Sequence, residues 1–162
     1  MKRLAKKKKI NLKVLLVCLL ITYLVAGLGS IFTSTKTSSS WYQSIKPSIT
    51  PPNWVFPIVW NILFFLIAYS MYLAFTNTKD KTEKKKILSL FGANFLFNIL
   101  WSILYFGFES PIVGFIDLII LWIFTFILIL RLKPLNKPAS LLLVPYLLWL
   151  TFAGLLNLLS AL

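Results

Sequence analysis

Amide and aromatic side chains recur at helical spacing in three apolar segments of this chain. Residues spaced by three, four, seven and eleven positions share one face of an α-helix. The three stripes are Pro57, Trp60, Asn61, Phe64 and Ala68; Asn94, Asn98, Trp101 and Tyr105; and Tyr146, Trp149, Ala153 and Asn157. Polar groups are costly in hydrocarbon, so these faces should point inward. Hydrogen bonds between helices or a ligand cavity would both account for them, and the pattern leaves both open.

The stretch from Trp41 to Trp60 reads WYQSIKPSITPPNWVFPIVW and adds flat rings on a stiff backbone. Its four prolines restrict φ and hold the residues before them extended. The rings of Trp41, Tyr42 and Trp54 suit a membrane–water interface, and they equally suit the lid of a site for a flat aromatic ligand. Both interpretations stand at this point.

Several kinds of chemistry are disfavoured by what the sequence lacks. It has no histidine, one cysteine (Cys18) and four acidic residues, namely Asp80, Glu83, Glu109 and Asp117. Hydrolytic metal sites and conventional acid–base pairs need more ligands or titratable groups than this, so we expect no metal site. Asp117 lies within an apolar segment, where a carboxylate is either functional or bonded to nearby polar groups and water.

The composition of the chain indicates that it is embedded in a lipid bilayer. Hydrophobic residues make up 59% of its 162 residues and its mean hydropathy is +0.85. This predicts an all-α integral membrane protein with five transmembrane helices, each long enough to cross roughly 30 Å of hydrocarbon. A single membrane domain, 14–162, would follow a basic tail, 1–13, and contain an aromatic loop, 32–50. The predicted helices cover about 14–31, 51–76, 87–106, 112–132 and 139–161, with Thr50 capping the second and Pro145 bending the fifth.

The basic residues behind the net charge of +13 lie in the N-terminal tail and in the gaps between apolar segments. The tail and two alternate gaps carry seven, five and three lysines and arginines, whereas the other gaps carry two, none and none. This asymmetry predicts a cytoplasmic N-terminus in the cell membrane and explains the charge without nucleic acid. The lysine, isoleucine and asparagine bias is typical of an AT-rich bacterial genome. The run 14–31 after the tail is either a cleaved signal peptide or a retained helix, and its length favours the helix.

Three motifs together resemble the signature of the TspO/MBR family of tryptophan-rich sensory and translocator proteins. They are the 41–60 stretch above, FNILWSILYFGFESP (97–111) and LLVPYLLWLTFAGLLN (142–157). The resemblance covers roughly residues 27–157 and implies a pocket for porphyrins such as protoporphyrin IX. By resemblance the pocket residues are Trp41, Tyr42, Pro51, Trp60, Asn98, Trp149 and Ala153. The polar stripes add Asn94, Trp101 and Tyr146.

The resemblance also defines the alternatives. Porphyrin would be a ligand and no cofactor is required; without histidine, axial haem ligation has little support. Light- and oxygen-dependent porphyrin breakdown, with Trp60 and Trp149 as redox-active rings, is the enzymatic alternative. A passive membrane scaffold is the third. Some family members dimerise through small residues on the third helix, but Leu96 and Leu100 interrupt that series after Gly92, which leaves a homodimer open.

Overall fold

The computed structural model describes residues 10–162, which are all-α. The predicted basic tail falls outside this range up to Lys9. Among the described residues, five helical segments are long and apolar enough to cross a membrane. The elements are α1 (Leu12–Lys36), α2 (Ser40–Ile45), α3 (Val55–Asn77), α4 (Lys81–Ser102), a π-helical turn (Ile103–Gly107), α5 (Pro111–Leu135), α6 (Lys137–Leu142) and α7 (Val144–Ser160).

Three helices begin earlier than their apolar residues predict, because polar side chains cap them. Asn11 accepts a hydrogen bond from the backbone of Val14, and Asp80 accepts from the amides of Thr82 and Glu83. Asn136 likewise accepts from Ala139. Such caps satisfy backbone donors that a helix start leaves unpaired. Each of these helices therefore takes at least one lysine into its first turn and extends beyond the hydrocarbon-length core of its segment.

The second membrane span begins later than predicted. It starts at Val55 rather than near Pro51, and Thr50 does not cap it, since the residue before the helix is Trp54 with no side-chain cap. A turn replaces the predicted first helical turn, with the amide of Val55 donating to the carbonyl of Pro52 at 2.9 Å. Consecutive prolines explain the difference, because Pro52 disfavours the helical conformation at Pro51.

The predicted loop 32–50 is shorter than expected and partly helical. α1 continues to Lys36, and α2 follows with Ser39 as its cap, whose hydroxyl accepts from the amide of Tyr42 at 3.2 Å. The Tyr42 side chain is buried and its ring lies 5.5 Å from that of Phe106. Aromatic packing of this kind holds the short helix against the bundle.

The fifth span is broken where its proline predicts a disturbance. A turn at Leu143 separates α6 from α7, and Pro145 occupies the first turn of α7, where its missing N–H is tolerated. α6 packs against both α3 and α5. The Ser70 hydroxyl donates to the carbonyl of Ala139, and that of Ser140 donates to Ile129. These bonds fix α6 between its neighbours.

Two apolar clusters occupy opposite ends of the bundle. The larger lies toward the end that carries the lysine-rich α3–α4 connection, called the basic end here, and its most buried members include Ile67, Ala74, Ile87, Phe91, Leu128, Leu132 and Leu143. The smaller is aromatic and lies at the opposite end, called the loop end, beneath α2. It contains Tyr42, Tyr105 and Phe106 with Trp41 and Trp101 against them.

The π-helical turn supplies two members of the aromatic cluster. The amide of Phe108 donates to the carbonyl of Ile103, five residues earlier, at 2.8 Å. This wide turn accommodates one residue more than an α-helical turn. Tyr105 and Phe106 are consecutive, yet both are 4% exposed.

Candidate ligand-binding cavity

A cavity of about 470 Å³ opens at the loop end, enclosed by α1, α3, α4 and α7 and by the segment from Tyr42 to Asn53. Pockets for small molecules commonly range from about 300 to 1,000 Å³ and are mainly apolar with a few polar groups. The lining has this character, with the rings of Phe56, Trp60 and Trp101 beside amides and hydroxyls. It is large enough for a small organic ligand.

Half of the site residues predicted from sequence lie on this lining, contributed by four different elements. They are Tyr42, Trp60, Asn98, Trp101 and Ala153. All three predicted stripes reach the cavity, since Pro57, Asn61 and Phe64 join Trp60 from α3, and Asn157 joins Ala153 from α7. The remaining predicted residues, namely Trp41, Pro51, Asn94, Tyr146 and Trp149, are not among the lining residues.

Two of those five are tryptophans whose rings contact residues that line the cavity. The Trp41 ring packs edge-on against Tyr105, with centroids 5.7 Å apart. The Trp149 ring packs edge-on against Phe56 at 5.9 Å. Pro51 directly follows Thr50, which does line the cavity. The Phe56 ring is thus a cavity-lining group in contact with Trp149, and of the two predicted redox-active rings only Trp60 is among the lining residues.

Hydrogen bonds between helices form the floor of the cavity. The Asn98 amide Nδ2 donates to the Tyr146 hydroxyl at 3.0 Å, and that hydroxyl donates to Asn94 Oδ1 at 3.4 Å. Asn94 Nδ2 in turn donates to the Thr125 hydroxyl at 2.7 Å. Along the polar stripes, some residues therefore line the cavity and others, at a different depth, form hydrogen bonds between helices. Asn98 reaches the cavity, whereas Asn94 serves contacts between α4, α5 and α7.

The wall made by α4, the π turn and α7 has its polar groups paired within the protein. Trp101 Nε1 donates to Asn157 Oδ1 at 3.0 Å, and Asn157 Nδ2 donates to the carbonyl of Pro111 at 2.7 Å. The Tyr105 hydroxyl donates to Ser160 Oγ at 2.9 Å. A paired polar network holds its rings in fixed orientations. This wall presents rigid aromatic faces to a ligand.

The α1 wall was missed by sequence reasoning. Four small hydroxyl residues of α1 and its C-terminal cap line the cavity, namely Ser30, Thr33, Ser34 and the cap Thr37. The Thr33 hydroxyl donates to Ser102 Oγ at 3.4 Å, and a Cβ on Gly29 would lie 3.3 Å from the same oxygen. The signal was present, since 30, 33, 34 and 37 have the spacing of one helix face. Hydroxyls give weaker signals than amides or rings, because they also bond to their own helix.

Thr50 has an unusual environment within this lining. Its hydroxyl is buried and has no hydrogen-bond partner among residues 10–162. A buried, unpaired hydroxyl costs about 1–3 kcal/mol. The other such side chains in the described part of the chain are Thr78, at the basic end, and Asp117, which is 4% exposed and not among the lining residues. The role of Asp117 therefore stays a hypothesis apart from this cavity.

Two further groups mark the loop end of the cavity. Burial, with a smaller contribution from nearby Tyr105, raises the pKa of Tyr42 to about 12, so its hydroxyl keeps its proton at neutral pH. The Lys36 ammonium lies 2.6 Å from the Glu109 carboxylate, a half-exposed ion pair joining the end of α1 to the turn before α5. Glu109 has a φ of 51°, a left-handed conformation uncommon outside glycine.

Five apolar helices of spanning length around an aromatic cavity define a multi-pass membrane protein with a ligand-sized site. Comparison with known families narrows this class. The chain belongs to the TspO/MBR family, whose profile matches residues 16–161. The family resemblance seen in its three motifs is thereby confirmed.

Individual relatives agree over most of the chain. It is 39% identical over 145 residues to the tryptophan-rich protein TspO of Chlorobaculum tepidum, which covers 88% of this chain and 90% of the relative. It is 38% identical over 145 residues to the protein of the same name from Archaeoglobus fulgidus, covering 88% and 92%. The translocator protein of Ovis aries is 30% identical over 119 residues, covering 72% and 70%.

Proposed function

We propose that this protein is a membrane receptor that binds porphyrins in the loop-end cavity, for transport or stress sensing. The observation that supports the proposal is the arrangement of flat rings from α2, α3 and α4 (Tyr42, Trp60 and Trp101) around one space of about 470 Å³. A tetrapyrrole offers two broad aromatic faces, and offset or edge-on contacts with such rings are favourable. Membership in the TspO/MBR family agrees with this choice.

The lining favours binding over acid–base catalysis. None of its described residues is acidic, basic or histidine. Such a site lacks groups that move protons at neutral pH. Stacking with a few hydrogen bonds is then the mode of recognition. Metal coordination by histidine is not part of it, because the sequence contains no histidine.

Titration of detergent-purified protein with protoporphyrin IX tests the proposal, with quenching of tryptophan fluorescence as the signal. We expect saturable binding that Trp60→Leu weakens by about 1 kcal/mol or more, roughly fivefold, because a stacking surface is lost. Trp122→Leu is the matched control. Trp122 donates to Thr151 between α5 and α7 and is not among the lining residues. Equal weakening by both variants would place the ligand elsewhere, and absence of saturable binding would favour the scaffold alternative.

The same samples test the enzymatic alternative. An absorbance time course under illumination in air would follow loss of the porphyrin, with free porphyrin in detergent as the reference. Trp149→Phe should retain binding, because Trp149 is not among the lining residues and contacts the lining residue Phe56. If the wild type consumes porphyrin faster than the reference and Trp149→Phe does not, the protein is an enzyme that uses this indole.

A further inference from the structure

Among the side-chain polar atoms of the described residues that line the cavity, one is both buried and without a hydrogen-bond partner. On the α4–α7 wall, the polar atoms of Trp101, Asn157 and Tyr105 bond to other protein groups. On the opposite side, the Thr50 hydroxyl is buried without a partner among the described residues. Buried polar groups are normally hydrogen-bonded, so an orphan hydroxyl on a residue that lines the cavity indicates the place of a ligand's polar group.

A positive charge lies on the same short turn. The amide of Thr50 donates to the carbonyl of Pro47 at 3.0 Å, which closes a four-residue turn from Pro47 to Thr50. Lys46 directly precedes this turn and is half-buried, and Pro47 itself lines the cavity. None of the three ion pairs in the described residues includes Lys46, whereas the other lysine at this end, Lys36, pairs with Glu109.

We propose that the turn Pro47–Thr50 recognises a carboxylate on the ligand, with the Thr50 hydroxyl donating a hydrogen bond to it and Lys46 supplying the opposite charge. This rests on the porphyrin-binding function and narrows it to tetrapyrroles with free acid side chains, held with their acidic edge toward the loop end. The orientation follows from physical chemistry. Carboxylates are costly to bury in the middle of a membrane, whereas the paired aromatic wall accepts the apolar part of the macrocycle.

The test compares protoporphyrin IX with its dimethyl ester, which has the same ring and no ionised carboxylate. We expect the wild type to bind the free acid about tenfold more tightly, because hydrogen bonds to charged groups are the stronger ones. Thr50→Val keeps the shape of the side chain and removes the donor, so it should erase most of that preference while leaving binding of the ester nearly unchanged. Thr50→Ser should restore the preference.

Matched controls exist at the other end of the bundle. Thr78 also carries a buried hydroxyl without a partner among the described residues, but it is not among the lining residues, so Thr78→Val should keep the full preference for the free acid. Lys46→Met should lower the preference severalfold, whereas Lys137→Met, an exposed lysine at the start of α6, should not. Circular dichroism and gel filtration check that each variant is folded.

The outcomes separate this inference from the function on which it rests. Equal wild-type affinity for acid and ester would overturn carboxylate recognition and leave porphyrin binding intact. The same would follow if Thr50→Val behaved like Thr78→Val. Failure of both probes to bind saturably would overturn the porphyrin-binding function and this inference with it.

Discussion

The two ends of this helix bundle are packed differently, although the same long helices form both. At the basic end, Ala74 and Leu132 have no exposed surface, and α6 fills the space between α3 and α5. At the loop end the short helix α2 packs on the aromatic cluster, and a cavity of about 470 Å³ remains between α1, α3, α4 and α7. The break at Leu143 is what allows α6 to pack at one end only. Close packing is therefore confined to one end, and the ligand-sized cavity lies at the other.

The largest expected effect concerns which end faces outward. In a Cys18→Ala background, a cysteine at Ser38, which is exposed beside α2, should react fully with a membrane-impermeant thiol reagent applied to intact cells. A cysteine at Thr82, exposed at the start of α4, should react only after permeabilisation. The lysine and arginine distribution is the reason. The reverse pattern would put the cavity on the cytoplasmic side.

The second prediction concerns packing at the basic end. Leu132→Ala should lower the free energy of unfolding by about 2 kcal/mol, near the lower end of the usual range for buried leucine. The lower end is expected because lipid is as apolar as leucine, which leaves mainly the cost of the new void. Unfolding in SDS, followed by circular dichroism, measures it. Leu148→Ala, whose side chain is 64% exposed, is the control and should cost much less. Similar losses would mean that the basic end is not the better-packed one.

The third prediction concerns space at the loop end. Ala153 lines the cavity, so Ala153→Thr should weaken protoporphyrin IX binding by about 1–3 kcal/mol, fivefold or more, by crowding the ligand. The loss of unfolding free energy should stay near the helix-propensity cost of about 0.5 kcal/mol. Gly92→Ser is the control, since a Cβ at Gly92 meets no atom within 4 Å. Unchanged affinity in a folded Ala153→Thr protein would show that the ligand does not reach α7.

The smallest effect is expected from the ion pair at the loop end. Lys36 and Glu109 are each 37% exposed, and ion pairs of this kind are worth about 0–1 kcal/mol. Glu109→Gln should therefore cost less than about 1 kcal/mol in the SDS assay, and salt should reduce the difference. Porphyrin affinity should not change. A loss above 2 kcal/mol would mean that the pair holds the loop end together, contrary to the contrast with the basic end.

The sequence was most informative where periodicity or charge carried the signal. The five spans were predicted because each apolar run has membrane length, and the stripes of Trp60, Asn98 and Ala153 were predicted because their side chains are large, polar or small at helical spacing. The hydroxyl face of α1 was overlooked because serine and threonine also bond to their own helix turns.

Other features depend on tertiary contacts or on local backbone geometry that no periodicity reports. Thr50 has the residue type and position of a helix cap, and only the turn formed by Pro52 and Val55 shows that it is not one. Trp149 shares a helix face with the lining residue Ala153, yet it contacts Phe56 and is not among the lining residues. A pattern of spacing indicates which helix face a residue occupies, but not which side chains of neighbouring elements pack against it.

The π-helical turn shifts the helical register by one residue at the end of the span that α4 begins, just before the connection to α5. Before the turn, residues 94, 98 and 101 face the bundle at α-helical spacing. Beyond it, the residue that faces a given direction comes one position later in the sequence. Deletion of one residue from Ile103–Gly107 would restore a regular helical turn and rotate the start of the connection to α5 by about 100° about the α4 axis. The carbonyl of Pro111 would turn away from Asn157, and Glu109 from Lys36. The turn thus acts as a one-residue insertion, and the connection to α5 depends on the helical register that it sets.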